Sequence, residues 1–195
     1  MALPQLHHEY ISEQAYLENE TLSEMKHEYI DGNVYAMAGA SKNHQRIVAN
    51  LGRHLGNYLN DSFCDVFFSD IKVRIDEGKQ YFYPDLMVVC ESDNKNAYYT
   101  ESPRLIVEVM SNATRKFDRT LKRQLYQTLP SLEEYVLIEQ DFIEIEVCRK
   151  PENWRSTSYY LNDTVYFQSL DFSLPVIDIY QRVENDDMIT FLKQK

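Results

Sequence analysis

The sequence of 195 residues contains only five glycines, six prolines and three cysteines. So little glycine and proline excludes a collagen-like or low-complexity chain, and a hydrophobic content of 44% is typical of a folded globular protein. No apolar run approaches the roughly 20 residues that a transmembrane helix needs. Residues 1–14 lack the basic start and apolar run of a secretion signal. We therefore expect a cytoplasmic protein without a membrane partner.

The cysteines are odd in number and far apart, at Cys64, Cys90 and Cys148. This spacing is typical neither of a disulfide framework nor of a set of metal ligands. Because each cysteine lies among apolar residues, we expect three buried free thiols, as in a reducing compartment.

Positive charge is scarce, with 20 Lys and Arg against 31 Asp and Glu and a net charge of −11. This balance argues against a broad nucleic-acid surface, because neutralising phosphates requires Lys and Arg. A local exception is a run of five cations: Arg115, Lys116, Arg119, Lys122 and Arg123. Two interpretations stay open, a solvated helix face or an electropositive patch on an acidic body.

The pattern along the chain indicates one domain, residues 1–195, without linkers or repeats. Ser12 is a helix cap, the Asp31-Gly32 pair predicts a hairpin, and Ser41 opens an amphipathic helix. Strand patterns follow at 63–68, 71–75, 80–90 and 105–110, then a helix at 114–128, strands at 134–139 and 142–149, weak strands near Tyr159 and Val165, and a helix near 176–183. This order predicts an α/β (α+β) fold, in which helices flank a mixed central β-sheet.

Two carboxylates interrupt apolar segments that are typical of central strands. Asp85 follows Pro84 within residues 82–89, and Glu108 lies within residues 105–110. A buried charge without a partner costs several kcal/mol, so each carboxylate needs compensation. A strand-end position for Asp85 and an ion pair of Glu108 with Arg104 or Lys122 would suffice. Mg²⁺ held by both carboxylates and by the backbone carbonyl of Val109 is the hypothesis that we favour.

The helix predicted at 114–128 has two stripes. Phe117, Leu121 and Leu125 are expected to face the core. Asp118, Lys122 and Tyr126 form the adjacent stripe. Lys122 has two interpretations, an intrahelical ion pair with Asp118 or a lysine that reaches the metal site from the helix after the Glu108 strand.

The ordered set of motifs resembles the Uma-type family of bacterial endonucleases, within the PD-(D/E)XK nuclease superfamily. The matching pieces are His27–Gly32, His44, Tyr83–Asp85, Val107–Ser111, Thr114, Asp118, Lys122, Tyr126 and Glu134–Leu137. The resemblance implies a restriction-endonuclease-like core with Asp85 and Glu108 as metal ligands. It places the catalytic lysine at Lys122, because Met110 stands where the wider superfamily has it.

The resemblance also implies further site residues. Glu28 is similar to an extra acid near a second metal in some of these nucleases. His44 is an auxiliary candidate that could equally be structural, and Asp118 is expected to orient Lys122.

Three functions remain in competition. The first is a Mg²⁺-dependent DNA endonuclease, with Mn²⁺ as a substitute and a homodimer as the expected assembly, because two symmetric sites suit cleavage of two strands. The second is a catalytically silent nuclease fold that binds nucleic acid or a protein partner. The third, a glycosidase with a carboxylate pair, leaves the basic helix unexplained.

Overall fold

The computed structural model describes residues 10–91 and 96–193. The expectation that residues 1–14 hold no secretion signal falls largely on residues 1–9, which lie outside the described residues. The helices are α1 (Glu13–Leu22), α2 (Lys42–Tyr58), α3 (Arg115–Phe117), α4 (Arg123–Tyr126), α5 (Val176–Ile179) and α6 (Asp186–Lys193). The strands are β1 (His27–Ile30), β2 (Asn33–Ala36), β3 (Asp65–Phe68), β4 (Lys72–Ile75), β5 (Gln80–Phe82), β6 (Leu86–Val89), β7 (Tyr99–Thr100), β8 (Pro103–Met110), β9 (Glu134–Glu139), β10 (Ile145–Arg149), β11 (Ser156–Tyr159), β12 (Thr164–Phe167) and β13 (Phe172–Pro175).

The strands divide between two larger sheets and a ribbon. Six strands follow the order β11-β10-β9-β8-β6-β3, with β8 and β9 parallel and the other neighbours antiparallel. Five strands follow the order β2-β1-β5-β4-β7, and β12 pairs with β13. The predicted mixed α+β fold with flanking helices is confirmed, although the strands do not form one continuous sheet.

Local sequence signals fix the first third of the chain. Asp31 and Gly32 both adopt positive φ, 42° and 84°, as a two-residue hairpin turn between β1 and β2 requires. The Ser12 side chain accepts a hydrogen bond from the Ala15 amide and caps α1. Ser41 caps α2 in the same way, accepting from the His44 amide. The predicted hairpin and both caps are confirmed.

The six-stranded sheet separates two apolar layers. On one face, Ile47 and Leu55 of α2 pack against β6 and β8. On the other face, Met87 of β6 packs with Phe82 of β5 and Tyr126 of α4. Side chains alternate between the two faces along each strand, so one strand serves both layers. The second layer, between the two sheets and the helical segment 115–126, contains the candidate site.

The segment predicted as one strand at 80–90 is two strands in different sheets. The chain leaves the five-stranded sheet after Phe82 and enters the six-stranded sheet at Leu86. Pro84 lies in this crossing and cannot donate a ladder hydrogen bond, which favours a break here. Asp85 is therefore the residue just before β6, not a residue within a continuous strand.

The helix predicted at 114–128 is a composite of α3, a π-helical turn from Asp118 to Lys122, and α4. We call residues 115–126 the composite helix. Of its predicted core-facing stripe, Phe117 and Leu125 pack against the core as predicted, and the prediction for Leu121 was wrong. Asp118, Lys122 and Tyr126 are buried, whereas Leu121 is exposed. The polar stripe faces inward because the carboxylates beneath it pair with it.

The cysteine prediction was wrong for two of the three thiols. Cys64 and Cys90 form a disulfide between the ends of β3 and β6, and Cys148 is free and buried. Strand pairing creates this proximity, because Asp65 of β3 lies opposite Val89 of β6. Cysteine usage therefore does not support the reducing compartment that we expected. Within residues 10–91 and 96–193, no helix is long and apolar enough to cross a membrane.

Candidate active site

Asp85 holds the crossing between the two sheets in place. Its Oδ2 atom accepts a hydrogen bond from the backbone N–H of Val109 at 2.7 Å. Its Oδ1 atom lies 2.9 Å from Nε2 of His44, in the first turn of α2. Pairing of β6 with β8 begins at Leu86 opposite Val107, so the amide of Val109 lies beyond the ladder and meets the carboxylate. The expected proximity of Asp85 and the Glu108 strand is thus present, and His44 joins it.

Glu108 lies in the interior of β8 and is buried between the sheets. Its Oε1 atom accepts hydrogen bonds from Lys122 Nζ at 3.1 Å and from the Tyr126 hydroxyl at 3.0 Å. Both donors come from the composite helix, one turn apart. The carboxylate is therefore held by two fixed donors on one side.

Lys122 is surrounded by carboxylates. Its Nζ atom lies 2.7 Å from Glu28 Oε1, 3.1 Å from Glu108 Oε1 and 3.8 Å from Asp118 Oδ1. Glu28 comes from β1, so the ammonium joins the hairpin, β8 and the composite helix. The π-helical turn brings Asp118 and Lys122 inward together, and such turns are frequent at functional sites.

The group carries more negative charge than its ammonium can balance. Burial raises the pKa of Glu108 well above its ordinary value, Lys122 opposes this rise, and the charges of Asp85, Asp118 and Glu28 add to it. Burial would lower the pKa of Lys122, but Glu108, Glu28 and Asp118 outweigh burial and raise it well above the ordinary value. Lys122 is therefore a permanent cation among several acids.

The pKa of Asp118 is raised to about 6. Burial is the largest cause, and the charges of Glu28 and Asp85 contribute to the same effect. Lys122 and a hydrogen bond with Thr114 act in the opposite direction and do not cancel it.

The donor set fits a hard divalent cation. Asp85 and Glu108 supply carboxylate oxygens, and Mg²⁺ commonly takes one or two carboxylates and completes its shell with water. Glu28 Oε1 is buried and forms an ion pair with Lys122. No group of three or more His, Cys, Asp or Glu side chains in residues 10–91 and 96–193 has the arrangement of a metal site. Asp85 and Glu108 would therefore hold a cation only together with water, and not within a closed set of protein ligands.

All the site residues predicted from the sequence lie in this region, where they form two separate groups of contacting residues. The first joins Lys122 to Glu28, Glu108 and Asp118, and the second joins Asp85 to His44 and to the amide of Val109. The N–H of Val109 contacts Asp85, and its carbonyl as a metal ligand stays a prediction.

Two contacts were missed by sequence reasoning. Tyr126 donates directly to Glu108, and its position four residues after Lys122 was a usable signal. Gln140, buried at the end of β9, accepts a hydrogen bond from the Ser41 hydroxyl that also caps α2. This second contact depends on tertiary packing and left no pattern in the sequence.

The arginines of the composite helix are paired with acids of the β9–β10 hairpin. Arg115 binds both oxygens of buried Glu139, at 2.6 and 2.7 Å. Arg119 contacts Glu144 and Glu146, and Arg123 contacts Glu146. The basic run is thus neither a freely solvated face nor an uncompensated positive patch.

The comparisons with known proteins agree with this fold. A sequence model of the Uma2 family, described as "Putative restriction endonuclease", matches residues 13–176. The chain is 35% identical over 174 residues to "Uncharacterized protein slr1290" of Synechocystis sp., covering 88% of this chain and 92% of that protein. It is 40% identical over 139 residues to "Uncharacterized protein sll1609" of the same organism, covering 69% and 78%. The crystal structure of "a putative nuclease belonging to DUF820" from Anabaena variabilis shares the fold, with a TM-score of 0.70, 16% identity and coverage of 89% of this chain and 99% of that one.

Proposed function

The chain belongs to the Uma2 family, described as "Putative restriction endonuclease", and from this premise we propose that it is a Mg²⁺-dependent endonuclease that hydrolyses phosphodiester bonds in DNA. The observation that carries the proposal is a buried ion pair of Glu108 with Lys122 beside the carboxylate of Asp85, whose charge acts on Glu108 together with those of Asp118 and Glu28. A purely structural ion pair would need one carboxylate for one ammonium. The surplus of carboxylates favours a cation.

In the proposed site, Asp85, Glu108 and the carbonyl of Val109 hold the cation, and Mn²⁺ can replace Mg²⁺. When bound, such a cation would supply activation of water and polarisation of a phosphoryl oxygen. Lys122 keeps its proton and provides fixed positive charge for the phosphate as negative charge builds in the transition state.

The remaining residues position this machinery. Asp118 and Glu28 hold the Lys122 ammonium, and Glu28 is also the candidate ligand of a second cation. His44 keeps one oxygen of Asp85 fixed. We also propose a homodimer, in which two symmetric sites would each cleave one strand.

A second candidate function is a silent module that binds nucleic acid or a protein partner. One observation favours it: Lys122 and Tyr126 already satisfy Glu108 Oε1 with hydrogen bonds. Such a site can be stable as a set of ion pairs.

Cleavage of supercoiled plasmid by purified protein separates the two functions. We expect nicking with Mg²⁺ or Mn²⁺, none in EDTA, and a loss of about 100-fold or more in Asp85→Asn and Glu108→Gln. Asp65→Asn, which removes an exposed carboxylate on β3, is the matched control and should cleave normally. Absence of cleavage with either metal, or equal cleavage by Asp85→Asn, would count against the nuclease.

A further inference from the structure

The side chains of the candidate site are largely covered. The side chains of Glu28, Glu108, Asp118 and Lys122 are only 4–7% exposed, and those of His44 and Asp85 are 13% and 15% exposed. Access is thus from the side of α2 and Asp85. The phosphates of a duplex lie on a stiff helix, with a persistence length of about 150 base pairs. A flexible single strand can bring one phosphate to a largely covered site more easily than such a rod can.

The charge around the site also favours a single strand over a duplex. A duplex carries one negative charge per roughly 1.7 Å, and its binding depends on many Lys and Arg contacts. Arg115, Arg119 and Arg123 are already bound to Glu139, Glu144 and Glu146. Lys42 and Lys116 remain exposed at the start of the two helices that carry His44 and Lys122. Two lysines can contact a few phosphates of one strand.

An aromatic side chain lies beside the acids. Tyr35 of the edge strand β2 is directly opposite Glu28 in the β1–β2 pairing, so both side chains are on the same face of the sheet. Glu28 points to Lys122, and Tyr35 is half-buried next to it. The following segment, residues 38–42, is exposed and ends at the helix that carries His44. Residues 35–44 thus run from one set of site residues to the other.

We infer that the substrate taken by this site is single-stranded nucleic acid, with one base stacked on Tyr35 and the neighbouring phosphates near Lys42 and Lys116. The inference rests on the proposed function and specifies its substrate class. Base stacking on an aromatic side chain with few phosphate contacts is the general chemistry of single-strand binding. DNA and RNA strands share this chemistry.

Binding is measured in EDTA with labelled oligonucleotides of about 20 nucleotides, as single-stranded DNA, single-stranded RNA and the DNA duplex of the same sequence. We expect at least one of the single strands to bind about tenfold or more tightly than the duplex, and the comparison of DNA with RNA identifies the natural strand. Equal or tighter binding of the duplex would overturn the inference.

Variants locate the binding. Tyr35→Ala should weaken single-strand binding about 5- to 150-fold and Tyr35→Phe should preserve it, because the ring supplies the stacking. Tyr166→Ala, in the β12–β13 ribbon, is the control and should bind normally. Lys42→Ala and Lys116→Ala should each reduce the slope of the logarithm of the binding constant against the logarithm of salt concentration by about 0.7. Arg155→Ala is the control and should leave this slope unchanged. Unchanged binding in a folded Tyr35→Ala variant would contradict the role of Tyr35.

Cleavage of the same oligonucleotides with Mn²⁺ separates the two proposals. Single-strand binding without cleavage would support the substrate class and reject the nuclease. Preferential duplex cleavage that disappears in Asp85→Asn would support the nuclease and reject the substrate class.

Discussion

The carboxyl group of Asp118 is buried under the composite helix, 3.8 Å from the ammonium of Lys122. Burial and the charges of Glu28 and Asp85 hold its pKa at about 6, compared with an ordinary value of 3.8. The folded protein therefore binds this proton more tightly than the unfolded chain. By linkage, the contribution of Asp118 to stability is fully present below about pH 4 and is lost as the pH rises through about 6.

Replacing Asp118 by Asn should remove this pH dependence. The pKa shift corresponds to about 3 kcal/mol at low pH, and somewhat less remains at pH 4, so between pH 4 and pH 7 the stability of Asp118→Asn should increase relative to the wild type by about 2 kcal/mol. Urea unfolding in EDTA at several pH values measures the free energy of unfolding of both proteins and therefore this difference. Asp65→Asn, on the exposed edge strand, serves as the control, and a constant difference between Asp118→Asn and wild type across this range would refute the assignment.

The composite helix is attached to the β9–β10 hairpin by a ladder of arginines and glutamates. Glu139 is fully buried and depends on Arg115, which contacts both of its oxygens, with Arg119 as a more distant neighbour at 3.6 Å. This attachment fixes the helix that presents Lys122 and Tyr126 to Glu108. The cations that the sequence suggested for DNA thus hold the scaffold of the site.

Arg115→Met should destabilise the protein by about 3–5 kcal/mol, because it leaves the Glu139 carboxylate buried with weaker compensation. The double variant Arg115→Met/Glu139→Leu should recover much of this loss, since it removes the uncompensated charge. Urea unfolding gives both values. A double variant at least as unstable as Arg115→Met would show that the charge is not the cause.

The helix and hairpin signals show what the sequence can predict. Ser41 and the Asp31-Gly32 turn act through their own neighbours, so the cap and the hairpin were predictable. The acids were predictable because a carboxylate in an apolar strand needs a partner. The inward-facing polar stripe of the composite helix was not predictable, because an amphipathic pattern is interpreted with its apolar residues facing the core. The division of strands at Pro84 between two sheets also depends on tertiary contacts.

The disulfide closes a loop that passes through both larger sheets. Cys64 and Cys90 are 26 residues apart, and the loop between them contains β3 and β6 of the six-stranded sheet and β4 and β5 of the five-stranded sheet. The returning segment of this loop carries Asp85. Closing a loop of this length in the unfolded chain is worth about 3–4 kcal/mol in the chain-entropy account.

Thiol counting tests this connection directly. Burial raises the pKa of Cys148 to about 12, so the native protein should give no reaction with a thiol reagent at neutral pH. Unfolding without reductant should expose one thiol, and unfolding with reductant three. Replacing both Cys64 and Cys90 by Ser should lower the free energy of unfolding by about 3–4 kcal/mol. Three reactive thiols in the unfolded, unreduced protein would show that the bond is absent.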